Sequence, residues 1–384
     1  MFAFLPLDRV VFGTPVATAL LQEVQLRKAQ RVFVVTGRTL NQKTDLIRQA
    51  TAGIADNVVG IFDACVEHTP RDTVIALTHA LRAAQADLIV SIGGGTVIDT
   101  VKIALVCLAE NLDRIEQLDD WHMAVNPDGS LRVPVVSEPP CRQITVPTTL
   151  SGAEFSDLGG GTDTRNGVKH GFTGRYIGSA TVILDPAMTL ATPEALWLST
   201  GVRALDHAIE AMCAVNAQPF TDALAVRAIG LLQTALRRYK VDPHDLQARM
   251  DAQMGAWLAA TSIRRVHYGA SHGLGHALGA DSGVPHGITS CVLLPSVMRY
   301  NQAYCAKPLA EIAAAFGNAS QPAADQLQAL IAELALPTRI SQLSVPRERL
   351  AIIAEKGLAN PFVRANPRPI SEAAHTMEIL ESAW

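Results

Sequence analysis

The run ADLIVSIGGGTVIDTVK, residues 86 to 102, joins an apolar strand to three consecutive glycines and then to a helix. The stretches around it repeat the alternation. RVFVVTG (31 to 37) is a second apolar strand, TVIALTHALRAAQA (73 to 86) carries apolar residues at helical spacing, and RQITVPTT (142 to 149) and TVILDPAMT (181 to 189) are further strand-like runs. Strands alternating with helices imply a parallel sheet flanked by helices, with ligands gathering at the C-terminal ends of the strands. After about residue 190 the pattern changes to helical periods of Ala and Leu. Thr192, Pro193 and Glu194 read as N-cap, N1 and N2 of a helix through Trp197, a second helix carries His207, and 218 to 239 and 248 to 266 are helical by spacing. The expectation is an α/β domain over 1–188 and an all-α domain over 189–384. The segment DDWHMAVNPDGSLRVP (119 to 134) reads as a surface excursion with a turn at Asp128-Gly129.

A chain of 384 residues exceeds one ordinary core and suits two. Its net charge of −4, with no long Lys/Arg run, argues against nucleic acid as a partner. The six cysteines are widely spaced and form no CxxC pair, which argues against a disulfide framework or a cysteine zinc site. No window approaches the ~20 apolar residues of a membrane helix, and the N-terminus has no basic region before its short apolar stretch. The expectation is a soluble cytoplasmic protein acting on a small molecule.

Gly93, Gly94 and Gly95 let backbone amides approach an anion, and the helix after them presents its positive end. The loop is a pyrophosphate cradle or a tight turn with Gly95 as a helix cap; the strand before and the helix after favour the cradle. It is not GxGxxG, and GxxxxGK[ST] is absent. Thr36, Gly37 and Arg38 end the neighbouring strand, where an acidic residue would bond an adenosine ribose 2′-hydroxyl. Glycine and arginine there tolerate a 2′-phosphate.

His272 and His276 are four apart and share a helix face, as paired ligands or acid/base residues require. With His207 and His286, three of these histidines lie in glycine-rich segments, and together they read as a site where one alone would read as a core histidine. Arg203 stands one helical turn before His207. Two readings of it stand: an i, i+3 ion pair with Asp206, or a planar fork for a substrate carboxylate, joined by Arg264 or Arg265.

GGGTVIDTVK, VPTTLSGAE, VILDPAMT, the Gly-x-x-Ala-Leu-x-His-Ala-x-Glu run at 201 to 210, SHGLGHALGA and VPHG, in this order, resemble the iron-containing alcohol dehydrogenase superfamily. The resemblance runs from Phe12-Gly13 to about Asn301. It implies a Rossmann-like dinucleotide-binding α/β N-terminal domain, an all-α C-terminal domain (the dehydroquinate synthase-like fold) and NAD(P)H as cofactor. It further implies that Gly93, Gly94, Gly95 and Thr96 hold the pyrophosphate and that Thr148, Thr149 and Lys169 hold the nicotinamide ribose and phosphates. Asp99 lies on the same helix as the loop, with Lys102 as a local partner.

In metal-using members an aspartate one turn before the first histidine joins three histidines on Fe²⁺ or Zn²⁺. Here His207, His272 and His286 stand at the histidine positions and Arg203 at the aspartate's. PTTLSGAE (147 to 154) is one residue shorter than the usual PTTAGTGSE and resembles the PTTYAGSE form of the maleylacetate reductases, as VEHTPRD (66 to 72) resembles that branch's HVP segment. The branch implies NAD(P)H-dependent reduction of a C=C bond beside an oxo group in an acidic substrate, without a tightly bound metal, in a homodimer. Arg203, His207, His272, His276 and His286 are the expected catalytic group, with His272 or His276 as proton donor. Three rivals stand beside it: a metal-dependent alcohol dehydrogenase or aldehyde reductase, a dehydroquinate synthase-like lyase, and a non-catalytic nucleotide binder.

Overall fold

A computed structural model describes residues 3–126 and 130–384; the expected Asp128-Gly129 turn lies outside them. The chain divides into two compact units, Met1–Thr149 with Ala153–Ala191, and Leu150–Gly152 with Thr192–Trp384. Among the described residues, no helix is long and apolar enough to cross a membrane.

In the first unit the strands are β1 (Arg9–Phe12), β2 (Val32–Thr36), β3 (Val58–Phe62), β4 (Leu88–Gly93), β5 (Ala124–Val125), β6 (Leu131–Arg132), β7 (Arg142–Pro147), β8 (Leu158–Asp163), β9 (Val168–Thr173) and β10 (Ser179–Leu184). Six of them form one sheet in the order β1-β10-β7-β4-β2-β3, every pair parallel. The central strands β2, β4 and β10 are buried at every position, which is why they read as continuous apolar runs without alternation. The helices are α1 (Val16–Arg27), α2 (Arg38–Lys43), α3 (Leu46–Thr51), α4 (Arg71–Ala83) and α5 (Gly95–Ala109). Register pairs Ile92 with Val146 and Gly93 with Pro147, so β4 and β7 end side by side.

The antiparallel hairpin β8–β9 was not expected from the sequence. Its glycines are there because α5 crosses the strand closely. A Cβ on Gly161 would lie 2.7 Å from Ile103 Cδ1, and one on Gly159 would lie 3.3 Å from Lys102 Cβ. The 119–134 excursion begins with a short 3₁₀ turn and then forms the β5–β6 pair.

In the second unit the helices are α6 (Glu194–Cys213), α7 (Pro219–Val241), α8 (Leu246–Ala260), α9 (Ala270–Ser282), α10 (His286–Tyr300), α11 (Ala306–Phe316), α12 (Ala323–Glu333), α13 (Leu350–Leu358), α14 (Pro361–Arg364) and α15 (Ala373–Ala383). One core joins Trp197, Leu205 and Ile209 of α6 to Leu232 and Leu236 of α7 and to Ala256 of α8.

Three expectations are corrected here. The two helices read at 192–210 are one. Thr200 Oγ1 bonds back to the Leu196 carbonyl at 2.8 Å, so the Thr200 hydroxyl is satisfied within the continuous helix. Gly201 is there for packing, since a Cβ would lie 2.6 Å from Leu236 Cδ2. The helix starts at Glu194, with Pro193 rather than Thr192 in the capping position. The helix read as 248–266 stops at Ala260, and Arg264 follows in the left-handed region at φ 62°.

Candidate active site

Each unit carries its own set of candidate functional side chains. In the first, β4 ends at Gly93 and α5 opens at Gly95 with no side chain capping it. The amides of Gly95 and Thr96 therefore have no partner within the helix and carry the positive end of its dipole, while Val97 N and Ile98 N bond the Gly94 carbonyl. A Cβ on Gly94 would lie 2.9 Å from Thr149 Cγ2, and one on Gly93 would lie 2.7 Å from Val97 Cγ2. Thr148 N donates to Gly93 O at 3.0 Å, which binds the end of β7 to the loop. This cradle fits a diphosphate: bare helix-end amides, a glycine wall and the buried Thr148 and Thr149 beside it.

Lys169 on β9 lies along the β8–β9 hairpin. Its stem crosses Gly160, where an ideal Cβ would be 2.5 Å from Cε and 3.2 Å from Nζ. Gly160 N in turn donates to Asp99 Oδ2 at 3.0 Å. Asp99 thus faces the hairpin and Lys102, 3.4 Å away, rather than standing open to a ligand. Lys102 is fully buried and donates to the carbonyls of Ala153 and Leu158.

Thr36 is also corrected: it is buried inside the sheet and donates to Ile92 O at 2.8 Å. Gly37 and the exposed Arg38 remain at the strand end, where Gly37 bridges to Ala64. Arg38 helps hold the Asp63 carboxyl below its usual range, after hydrogen bonds from Asn41 and Gln42. Sequence reasoning also missed Glu154, the last residue of PTTLSGAE. It is buried with Oε2 unpartnered, and burial pushes its carboxyl up to about 7.

In the second unit, α6 presents Arg203, Asp206, His207 and Glu210, all buried. Positions 203, 206 and 210 form an i, i+3, i+7 stripe. Arg203 Nη1 donates to Asp206 Oδ2 at 3.2 Å and to Ser290 Oγ at 3.0 Å, and Nη2 meets His286 Nε2 at 2.6 Å. A guanidinium has no acceptor, so His286 Nε2 accepts and its ring is neutral. Asp206 Oδ2 also accepts from Ser271 Oγ at 2.9 Å and Ser290 Oγ at 2.6 Å. The expected helix ion pair is therefore present, and the guanidinium is bound within the protein rather than held out as an open fork.

Glu210 accepts from the amides of Gly269, Ser271 and His272 at the start of α9, and meets His272 Nδ1 at 2.6 Å. Burial and the Asp206 carboxylate raise the Glu210 carboxyl, and burial raises Asp206. His207 and His272 are held well below the usual histidine range by burial and then by Arg203. The rings of His207, His272 and Tyr268 pack in a triangle, with centroids 4.2 to 5.6 Å apart. His276 stacks on His286 at 4.9 Å, with Phe362 edge-on at 5.4 Å. Three buried atoms in this group make no hydrogen bond: His207 Nδ1, His272 Nε2 and Asp206 Oδ1, the last lying 3.6 Å from His272 Nδ1.

Glu210, Tyr268, Ser271, Ser290 and Phe362 were not expected from the sequence. Glu210 and Ser271 lie inside the 201–210 and SHGLGHALGA motifs without having been given a role, and helical spacing from Arg203 would have found Glu210; Tyr268, Ser290 and Phe362 come from segments with no pattern to mark them. Arg265 Nη1 turns to its own loop, donating to Ile263 O.

The donor set does not fit a metal on His207, His272 and His286, because His286 Nε2 is bonded to a cation. Asp206, Glu210 and His272 bring ligand atoms within 4.8 Å of one another, but their hydrogen bonds are to Arg203, the serines and the α9 amides. An ion there would have to displace the guanidinium from Asp206.

The family model described as iron-containing alcohol dehydrogenase matches residues 8–186, and that for the C-terminal part of the Fe-containing alcohol dehydrogenase family matches residues 197–384. The chain belongs to the iron-containing alcohol dehydrogenase family. It is 31% identical to a maleylacetate reductase of Burkholderia cepacia, over 98% of this chain and 96% of that protein. It is also 31% identical to the dehydrogenase FUM7 of Gibberella moniliformis, over 93% of this chain and 92% of that protein. The crystal structure of maleylacetate reductase from Agrobacterium tumefaciens superposes with a TM-score of 0.83 at 29% identity, covering 100% of this chain and 97% of that one. The chain is an oxidoreductase of this family, on its maleylacetate reductase-like branch.

Proposed function

We propose that the chain is an NAD(P)H-dependent reductase of a small oxo acid with a C=C bond beside the oxo group, working without a tightly bound metal. The observation that carries this reading is Arg203, buried and bonded to both Asp206 and His286. A cation already stands among the donors, and two like unit charges 4 Å apart repel by about 4 kcal/mol at an effective dielectric constant of 20. The substrate class follows the maleylacetate reductase relatives, whose likeness spans nearly the whole chain.

The Gly93–Thr96 amides would hold the dinucleotide diphosphate, with Thr148, Thr149 and Lys169 around it. Bound there, the nicotinamide supplies hydride. The chain's own part is orientation and the proton. Burial pushes the Glu210 carboxyl up to about 8, so it keeps its proton and donates it to His272 Nδ1, and the ring's own proton sits on Nε2. Nε2–H meets the reacting group and delivers that proton as Nδ1 takes up the one from Glu210. His207 Nδ1, which makes no hydrogen bond within the protein, supplies a further donor for a substrate oxygen when it carries the ring proton, and the Tyr268 and Phe362 rings keep water from the histidines.

The second reading is an Fe²⁺- or Zn²⁺-dependent alcohol dehydrogenase. The 4.8 Å group of Asp206, Glu210 and His272 favours it, and the guanidinium on Asp206 opposes it. The test is a panel of unsaturated oxo acids, oxo acids and neutral aldehydes, each with NADH and NADPH, followed at the nicotinamide absorbance. The reading expects the unsaturated oxo acids to lead; neutral aldehydes turned over faster than every acid would overturn it, and turnover without net cofactor oxidation would make the enzyme a lyase.

A further inference from the structure

The segment VEHTPRD has no part in the chemistry above, yet it holds the most strained backbone in the first unit. His68 and Thr69 are consecutive non-glycine residues in the left-handed region, at φ 66° and 53°. For a β-branched threonine this conformation is a genuine outlier, and such strain persists only where the surroundings enforce it. The surroundings are the β8–β9 hairpin. Thr162 N donates to Thr69 O at 2.9 Å and Thr162 Oγ1 to His68 O at 2.8 Å.

Arg71, two residues on, completes the grip. Its side chain is 0% exposed and reaches both strands of the hairpin: Nη1 lies 3.5 Å from Asp163 Oδ2 on β8, and Nη2 donates to His170 Nδ1 on β9 at 3.0 Å. Nη1 also donates to Asp119 at 2.6 Å, and the guanidinium lies over Phe172, 5.5 Å from the ring centroid. His170 is the neighbour of Lys169, the one cation that this hairpin lays over Gly160 and, through the Gly160 amide, against Asp99 of α5. The planar fork matters because a single lysine ammonium cannot reach two strands with fixed geometry.

We infer that Arg71 is a positioning residue for cofactor binding: through Asp163 and His170 it fixes the hairpin so that the Lys169 ammonium stands beside the Gly93–Thr96 cradle. The inference rests on the reading of that cradle as the diphosphate site. Arg71 itself is enclosed and touches no ligand; its effect passes through Lys169.

The test is a double-mutant cycle on the full chain, with Arg71→Lys, Lys169→Ala and the pair, reading the dissociation constant for NADPH by nicotinamide fluorescence. Adenosine, which lacks the phosphates, serves as the control ligand. Lys169→Ala is expected to weaken NADPH about tenfold, as loss of one charge-assisted contact. Arg71→Lys is expected to weaken it severalfold alone and hardly at all on top of Lys169→Ala, with adenosine binding unchanged throughout. If Arg71→Lys does not fold, His170→Phe takes its place, since it keeps the ring packed 4.0 Å from His122 and removes only the acceptor for Arg71; the same coupling is expected. Additive losses, or an equal loss of adenosine binding, would overturn the positioning role. Lys169→Ala binding NADPH like the parent would bring down the cradle assignment of Lys169, and this inference with it.

Discussion

Replacing Arg203 with Met tests whether the buried cation holds the second unit's site together. The guanidinium is 5% exposed and makes three hydrogen bonds, to Asp206, Ser290 and His286. Methionine matches much of the length and offers no donor. Asp206, which is 0% exposed, would keep two serine hydroxyls and lose its counter-ion, while His286 Nε2 would lose its donor. Removing one member of a buried ion pair costs about 3–5 kcal/mol, against 0–1 for an exposed pair. With Ser271 and Ser290 still bonded to Asp206, the loss should be at the lower end, about 3 kcal/mol. Adding Asp206→Asn removes the uncompensated charge and should recover most of that loss. Urea denaturation followed by far-UV circular dichroism, on the parent, both single variants and the pair, measures it. A loss below about 1 kcal/mol for Arg203→Met would mean the pair behaves like a surface pair, and absence of recovery in the pair would show that the Asp206 charge is not what makes the loss.

Gly94→Ala should weaken NADPH binding about tenfold or more, because its Cβ would stand 2.9 Å from Thr149 Cγ2 and overpacking of that kind costs about 1–3 kcal/mol; unchanged affinity by fluorescence titration would remove the loop from the cofactor site. His272→Ala should lower kcat about 100- to 10,000-fold with KM for the acid changed far less, as expected for a lost proton donor; kcat within threefold of the parent would assign the proton elsewhere. Asp163 is held well below the usual carboxylate range, first by its hydrogen bond from Arg165. Its stabilising contribution is therefore complete above the unfolded value of about 3.9 and is lost as pH falls through the lowered folded value. Asp163→Asn should accordingly be less stable than the parent at pH 6, with the gap narrowing below about pH 4; a gap independent of pH would contradict this.

The sheet was legible because β2, β4 and β10 are covered on both faces and show as largely apolar runs, and β7, although it carries Arg142, Gln143 and Thr145, ends in the strand-like ITVP. The loop at Gly93–Gly95 was legible for a related reason: it had to lie between such a strand and a helix. The β8–β9 hairpin was hidden, since Gly159, Gly160 and Gly161 answer to the approach of α5 and to the Lys169 stem rather than to strand propensity. His272 and His276 could be named from spacing within α9 and the Arg203–Asp206 pair from spacing within α6, while His207 and His286, on α6 and α10, could be named from the motifs that carry the resemblance. What they bond to could not. His286 meets Arg203 across 83 positions and His272 meets Glu210 across 62, and no local pattern encodes such a meeting. Thr36 marks the opposite failure: its position at a strand end looked like a ligand contact, and its hydroxyl is bound inside the sheet.

The central claim is that Arg203 makes this site one that works without a metal. Measured most directly, the purified protein is assayed for bound iron and zinc and for NADPH-dependent reduction of an unsaturated oxo acid, before and after treatment with a strong chelator. Metal well below one ion per chain and turnover unchanged by chelation are the expected results. One ion per chain, whose removal abolishes turnover and whose return restores it, would contradict the account.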